Sequence, residues 1–283
     1  MKKWEVAAED SGKKLLAFLQ SRLGPSFSAR QLKRAIESNL CQINGRTERF
    51  ASATVGKGDR VSFAIDQLEK KAPFAVIPLY EDARLLIINK PAGIPSDSPE
   101  LINGVRARYP NAELAHRLDR DTTGALLFGK GVHVRDELFD QFKNHHIRKD
   151  YLALVDGVPA KTSGRIDNFL AKKHVYQGQT CWGSDAKGLR AITSWKVLKK
   201  GNLAALVHCQ PETGRTHQLR VHLSEINHPI LGDVQYGKRF KNPYQPQRYM
   251  LHAWKITVEG HEVEAPLPED FIKALRQTVG DWP

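Results

Sequence analysis

The amino-acid sequence predicts an α+β protein built in two parts. Two short amphipathic helical stretches followed by a hairpin signal occupy the first 66 residues. A charged stretch without periodicity, DQLEKKAP at 66–73, reads as a linker ending in Pro73. From residue 74 onward, short apolar or alternating runs outnumber helical ones. The expected division is a small αα-β domain at 1–66, a linker at 67–73 and a larger domain at 74–283, which suits a chain of 283 residues.

In the first domain, Leu15, Leu16, Phe18, Leu19 and Leu23 form an apolar stripe at helical spacing within Gly12 to Leu23, and Gly24-Pro25 stops it. Ser28 has the character of an N-cap for a second helix, Ala29 to Ser38. Leu32, Ala35 and Ile36 face inward there, while Arg30, Lys33 and Arg34 share the other side. Leu40 to Ile43 alternates as a strand, Asn44-Gly45 signals a hairpin, and Arg60 to Ile65 supplies a further strand.

The second domain opens with two strands, Val76 to Tyr80 and Leu85 to Asn89, the latter ended by Lys90-Pro91-Ala92-Gly93. Lys90 reads equally as a surface charge or a phosphate contact. Ala125-Leu126-Leu127-Phe128 is a buried strand bounded by Gly124 and Gly129, and Val132 to Asn144 a helix with Val134, Leu138 and Phe142 on one face. His145-His146 follows; adjacent histidines lack the helical spacing that metal pairs favour, so they read as a helix end. Lys149 to Gly157 alternates as a strand carrying Tyr151, and unaided that tyrosine reads as strand filler. Residues 164–198 hold two or three strands around a Gly- and Lys-rich segment at 172–188, either a ligand-facing loop or a solvated hairpin end. Leu203 to Cys209 is a strand, Gly214 and Thr216 turn into a helix carrying Leu219 and Leu223, and Pro268 to Thr278 closes the chain as a helix.

Composition bounds the function. The apolar share of 41% suits a globular core, and no run reaches the roughly 18–20 apolar residues of a membrane span. Three widely spaced cysteines argue against a disulfide framework or a paired zinc site and suit a reducing cytoplasm. A net charge of +12 points to a polyanion partner, because Lys and Arg that neutralise phosphates supply most non-specific nucleic-acid affinity. No P-loop, dinucleotide fingerprint or convincing metal cluster is visible, so no cofactor is expected.

The densest chemistry lies at Ala115 to Phe128, AHRLDRDTTGALLF. Its charged part sits in the loop entering a core strand, where scaffolds commonly present functional side chains. Asp119 lies between two arginines in sequence, and cations nearby favour an ionised carboxylate of low pKa. Such an anion serves as nucleophile, general base or metal ligand; an ion-paired surface turn is the plainer alternative.

This string closely resembles the H-R-L-D-x-x-T-S-G signature of the RluA-type pseudouridine synthases, with Thr123 where the family usually has Ser. Three further strings resemble family motifs in order: E-D-x-x-L-x-x-I-N-K-P-A-G at 81–93, K-x-Y-x-A-x-V-x-G at 149–157, and G-R-T-H-Q-L-R-V-H-L at 214–223 with H-P-I-L-G-D and Y-G after it. Leu251-His252-Ala253 resembles the family's L-H-A strand. Where the family commonly continues its first motif with H-P, this chain has Ile94-Pro95-Ser96-Asp97-Ser98-Pro99. The first domain resembles the S4 RNA-binding domain in its first-helix leucines, Ser28-Ala29-Arg30, Gln42-Ile43-Asn44-Gly45 and Gly58-Asp59, although Lys13-Lys14 departs from the usual R-L-D.

The resemblance implies a mixed, largely antiparallel sheet with flanking helices, preceded by an S4-like αα-β domain. It implies isomerisation of uridine to pseudouridine in structured RNA, most often of the large ribosomal subunit, with tRNA as the other candidate substrate and no cofactor. Asp119 is then the catalytic aspartate, Arg220 pairs with it bidentately to orient it and hold it anionic, and the Tyr151 ring packs on the target base. His116, Arg117, Lys90, Arg215, His217 and Leu251 are expected to contact substrate, and Arg30, Lys33 and Arg34 to contact RNA. The expected state is a monomer bound to RNA and to no membrane. Two other classes use the same residues: a metal-dependent phosphoesterase with His116, Asp119, Asp121 and His217 or His222, and a non-catalytic RNA-binding protein.

Overall fold

The computed structural model describes residues 1–24, 27–37, 40–48, 50–65, 76–176, 179–237 and 239–281. The linker expected at 67–73 lies outside them. The chain divides into two compact units, Met1–Pro73 and Phe74–Pro283.

In the first unit a four-stranded sheet of order β1-β4-β2-β3 comprises β1 (Lys2–Glu5), β2 (Cys41–Ile43), β3 (Arg46–Thr47) and β4 (Arg60–Phe63). Helices α1 (Leu15–Leu23) and α2 (Ala29–Glu37) share its core through Leu15, Phe18, Leu19, Leu32 and Ile36. Ser28 opens α2 as a capping box: the Gln31 amide donates to its hydroxyl, and its own amide donates to the Gln31 side chain at 2.8 Å. Asn44 and Gly45 both take positive φ, 52° and 79°, the paired left-handed geometry of a tight hairpin between β2 and β3. Arg30, Lys33 and Arg34 stand exposed on the outer face of α2.

The second unit is one large sheet of order β11-β10-β12-β13-β9-β14-β8-β6-β5, with β15 beside β14 and β7 beside β8. Its strands are β5 (Pro78–Glu81), β6 (Leu85–Lys90), β7 (Ala112–Leu114), β8 (Thr123–Lys130), β9 (Arg148–Asp156), β10 (Ser163–Tyr176), β11 (Gln179–Ser184), β12 (Leu189–Lys200), β13 (Ala204–Pro211), β14 (Leu251–Val258) and β15 (His261–Glu264). Among the described residues four helices flank it: α3 (Pro99–Arg108), α4 (Val132–Lys143), α5 (Gln218–Glu225) and α6 (Glu269–Thr278). Among the described residues β14 and β8 alone pair in parallel, so the sheet is mixed and largely antiparallel, as the resemblance implies.

Alternation explains why this sheet carries core on both faces. Leu86 and Ile88 of β6, with Leu126 and Phe128 of β8, enter one apolar cluster, while Leu85, Ile87, Ala125 and Leu127 enter the other. Burying each large side chain contributes about 1.5–3 kcal/mol relative to exposure. Such strands read as continuous apolar runs, because neither face meets water.

Several elements differ from the sequence expectation. Gly124 does not bound β8 but lies inside it, at φ 109°. Helix α3, strand β7 and strand β1 carry no reading above; α3 is announced only by Ser98, whose hydroxyl caps the Leu101 amide, and by Pro99 in its first turn. Of the segment 172–188, the residues of β10 and β11 pair antiparallel, and β12 follows beside β10.

Candidate active site

Strand order brings separated motifs together. β9, β14 and β8 are neighbours, with Ala253 opposite both Tyr151 of β9 and Gly124 of β8. The loop feeding β8 therefore arrives beside the start of β14 and the middle of β9. Helix α5 packs on β12 and β13 and brings Arg220 to the same place.

The loop that carries Asp119 is gripped through its backbone. Buried Ser96 donates to the Leu118 carbonyl and accepts from the Leu118 amide, both at 2.9 Å. Thr122 closes a turn onto the Asp119 carbonyl at 3.1 Å, and the Asp121 amide donates to the Tyr249 hydroxyl at 3.2 Å. Asp119 itself keeps 26% side-chain exposure, enough to meet a ligand. Among the described residues no hydrogen bond reaches its carboxylate oxygens.

The ion pairing differs from expectation. Arg220 does not fork onto Asp119: its Nε and Nη2 donate to Asp233 at 2.6 and 2.8 Å, and Nη2 also donates to Gln235 at 2.8 Å. Only Nη1 is left for Asp119, at 3.7 Å. The guanidinium is stacked against Tyr249 at 4.3 Å and Tyr236 at 4.9 Å. Burial works against its charge, yet Asp233 and then Tyr249 and Asp119 hold its pKa above the ordinary arginine value.

The low carboxylate pKa expected from neighbouring arginines is also overturned. Burial raises the Asp119 pKa and outweighs Arg220, while the Asp233 charge pushes the same way. The sequence neighbours have other partners: Arg117 is exposed and pairs with Asp97 at 3.2 Å, and Arg120 pairs with Asp121 at 3.0 Å. Tyr151 is buried, and burial and then the Asp119 charge raise its phenol pKa, so the ring stays neutral.

Lys90 is neither a surface charge nor a phosphate contact. It is fully buried, and its ammonium donates to the carbonyls of Pro91, Ile94 and Arg120 at 2.7, 2.8 and 2.9 Å. Burial lowers its pKa to about 7, against the pull of Asp121 and Asp119. His116 also serves the scaffold: its Nε2 accepts from the Leu127 amide at 3.1 Å and its ring lies on Phe142. Burial lowers its pKa to about 3, so it is neutral. Leu251 is 3% exposed and paired with Ala153 of β9. His217, at φ 57°, meets the Tyr236 hydroxyl at 2.7 Å, and Arg215 is exposed with Nε on the Arg190 carbonyl.

The residues of the phosphoesterase alternative do not converge. His222 meets Thr193 and Asn168 through its two nitrogens, and His116 faces the Leu127 amide. Among the described residues no group of His, Cys, Asp or Glu is arranged to hold a metal ion. His145 instead meets the Glu212 carbonyl at 2.7 Å.

Four residues at the site carry no role in the sequence reading: Asp233, Gln235, Tyr236 and Tyr249. Asp233 and Tyr236 stand inside the G-D and Y-G ends of a matched string, and Tyr249 stands two positions before Leu251. Those places are the available signals, but they carry no information about partner.

Comparison with known proteins addresses the chemistry that the strings imply. Residues 84–225 match the family described as RNA pseudouridylate synthase. The chain is similar to ribosomal large subunit pseudouridine synthase C of Escherichia coli (strain K12), 35% identical over 96% of this chain and 95% of that protein. It is likewise similar to ribosomal large subunit pseudouridine synthase D of Haemophilus influenzae, 31% identical over 98% of this chain and 95% of that protein. A solved structure, human RNA pseudouridylate synthase domain containing 1, covers 72% of this chain and 87% of its own at 28% identity and a TM-score of 0.61. With likeness of this extent and the four motif strings in order along the chain, the protein belongs to the RNA pseudouridylate synthase family and is an isomerase of uridine in RNA.

Proposed function

We propose that the chain converts specific uridines of large-subunit ribosomal RNA to pseudouridine, with Asp119 as the catalytic residue. The target class follows from two relatives that are named for the large ribosomal subunit and are matched over nearly their whole length. The observation that carries the Asp119 role is its half-sheltered carboxylate, with the fixed Arg220 guanidinium 3.7 Å away and the buried Tyr151 phenol within reach of its charge.

The reaction breaks the bond from N1 to C1′ and forms one from C5 to C1′; C5 loses a proton, N1 gains one, and the formula is unchanged. Asp119 acts at the ribose, by attack on C1′ or removal of the 2′ proton, and either role requires the anion. Arg220 keeps a positive charge beside that anion whatever Asp119 does, since its fork rests on Asp233. Tyr151 offers an aromatic face to a uracil lifted out of the stack, an interaction worth about 1–3 kcal/mol per base, and Leu251 walls the pocket. Arg117, exposed and tied only to Asp97 among the described residues, occupies the place the base leaves, at a flipping cost of a few kcal/mol that protein contacts offset. Arg215 and His217 line the approach.

The first unit is assigned to an S4-like RNA-binding role, supported by the capping box of α2, the Asn44-Gly45 hairpin and three exposed cations on one helix face. Pseudouridine mapping in cells with the wild-type chain, with Asp119→Asn and with none tests both assignments. Loss of the same large-subunit sites in the last two is expected, with RNA binding by Asp119→Asn retained. Unchanged modification by Asp119→Asn refutes the catalytic assignment, and sites found only in tRNA refute the target.

A further inference from the structure

We infer that Arg248 is a positioning residue for the Asp119 loop, and that its setting is fixed from the far side by Asp270 of the C-terminal helix. The inference rests on the reading of Asp119 as catalytic residue. With no hydrogen bond to its carboxylate oxygens among the described residues, Asp119 is located mainly by how firmly its loop backbone is held.

Arg248 is 9% exposed and faces two ways. Its Nη1 donates to the Asp121 and Tyr249 carbonyls, each at 3.0 Å, and lies 3.5 Å from the Leu251 carbonyl. One nitrogen thus joins the loop entering β8 to the start of β14, the two strands that pair in parallel. The Asp121 amide is taken by the Tyr249 hydroxyl, so Asp121 is held at its N–H by Tyr249 and at its carbonyl by Arg248.

The other edge of the guanidinium is committed elsewhere. Nε and Nη2 donate bidentately to Asp270 at 2.6 and 2.9 Å. Asp270 stands in the first turn of α6, where a carboxylate also suits the helix dipole. The side chain of Asp121, whose carbonyl Arg248 holds, is already paired with Arg120. Removing the Asp270 charge leaves a buried guanidinium without its counter-ion, next to the Lys90 ammonium that already grips the Arg120 carbonyl. The guanidinium then shifts toward solvent, and the Asp121 carbonyl loses its donor.

Asp270 is itself half exposed, while Phe271, Ala274 and Leu275 anchor α6 in the core. Asp270→Asn is therefore expected to fold, which separates positioning from collapse. On full-length protein below its melting temperature, Asp270→Asn should lower kcat about 10- to 100-fold while the Kd for substrate RNA changes less than twofold. Asp270→Glu, which restores the carboxylate, should recover most of the rate. Arg248→Lys, which keeps a charge but cannot fork, should behave like Asp270→Asn and supplies the readout if that variant is unstable. Wild-type kcat in folded Asp270→Asn, or no recovery in Asp270→Glu, overturns the inference. Asp119→Asn is run alongside: if it keeps the wild-type rate, the catalytic reading fails independently of Arg248.

Discussion

Asp119 and Asp233 compete for one guanidinium, and Asp233 holds the larger share. Asp233 is 1% exposed and takes both hydrogen bonds of the fork, whereas Asp119 sits at the rim with a single nitrogen at 3.7 Å. Breaking the buried pair by truncating Asp233 would strand a charge, a type of change that costs about 3–5 kcal/mol. Asp119 differs because its own ionisation is opposed by burial. A folded-state pKa above the unfolded one means the native chain binds the proton more tightly. Stability from this group is full below the unfolded value and is lost as pH rises through the raised folded value. Asp119→Asn has no such loss. It should therefore melt higher than wild type at pH 8, with the gap closing as pH falls below the ordinary aspartate range. Thermal melts across pH check this, and a variant less stable than wild type at pH 8 contradicts it. The carboxylate on which the proposed mechanism relies is thus one whose charged form burial disfavours.

At the scale of elements, the crossing of β8 and β14 sets the site. Gly124 lies there at φ 109°, and a Cβ on it would come within 2.1 Å of the Ala253 carbonyl oxygen. The nearest atoms are all backbone of Ala253, so no flexible side chain is there to yield. Gly124→Ala should lower unfolding free energy by about 3 kcal/mol or more, combining a left-handed penalty with displacement of a central strand. Chemical denaturation measures it, and a loss below about 1 kcal/mol would mean the strands separate easily. Elements with strong local signals were legible in the sequence: α2 with its cap and stripe, the Asn44-Gly45 turn, and the apolar runs of β6 and β8. Helix α3 was not, because Asn103, Gly104, Arg106 and Arg108 dilute its stripe and only Leu101 and Val105 are fully buried. Of the site, the convergence of positions 119, 151 and 220 was foreshadowed by motif order. The partner of Arg220 was not: Asp233 is 13 residues away along the chain, beyond the helix that carries Arg220, and local periodicity does not report such a pairing.

For the whole molecule, a charge of +12 is the feature most exposed to solution conditions. Arg30, Lys33 and Arg34 are candidates for part of the resulting RNA affinity, Lys33 being only loosely paired with Glu37 at 3.9 Å. Replacing all three with Ala should weaken RNA binding and reduce the slope of log K against log salt by about 2–3, with no change in the position modified. Filter binding over a salt series reads the slope; an unchanged slope removes the helix from the RNA interface. The parallel pairing of β8 with β14 has another effect. His252 meets Thr123 across 129 positions of chain, and an adjoining parallel strand can be supplied only by a long excursion. During synthesis the segment bearing Asp119 emerges early and waits, its edge unmatched, until residues past 250 are available to lie against it. A chain ended before β14 lacks the strand that flanks β8, so this part of the sheet closes only once residues past 250 have been made.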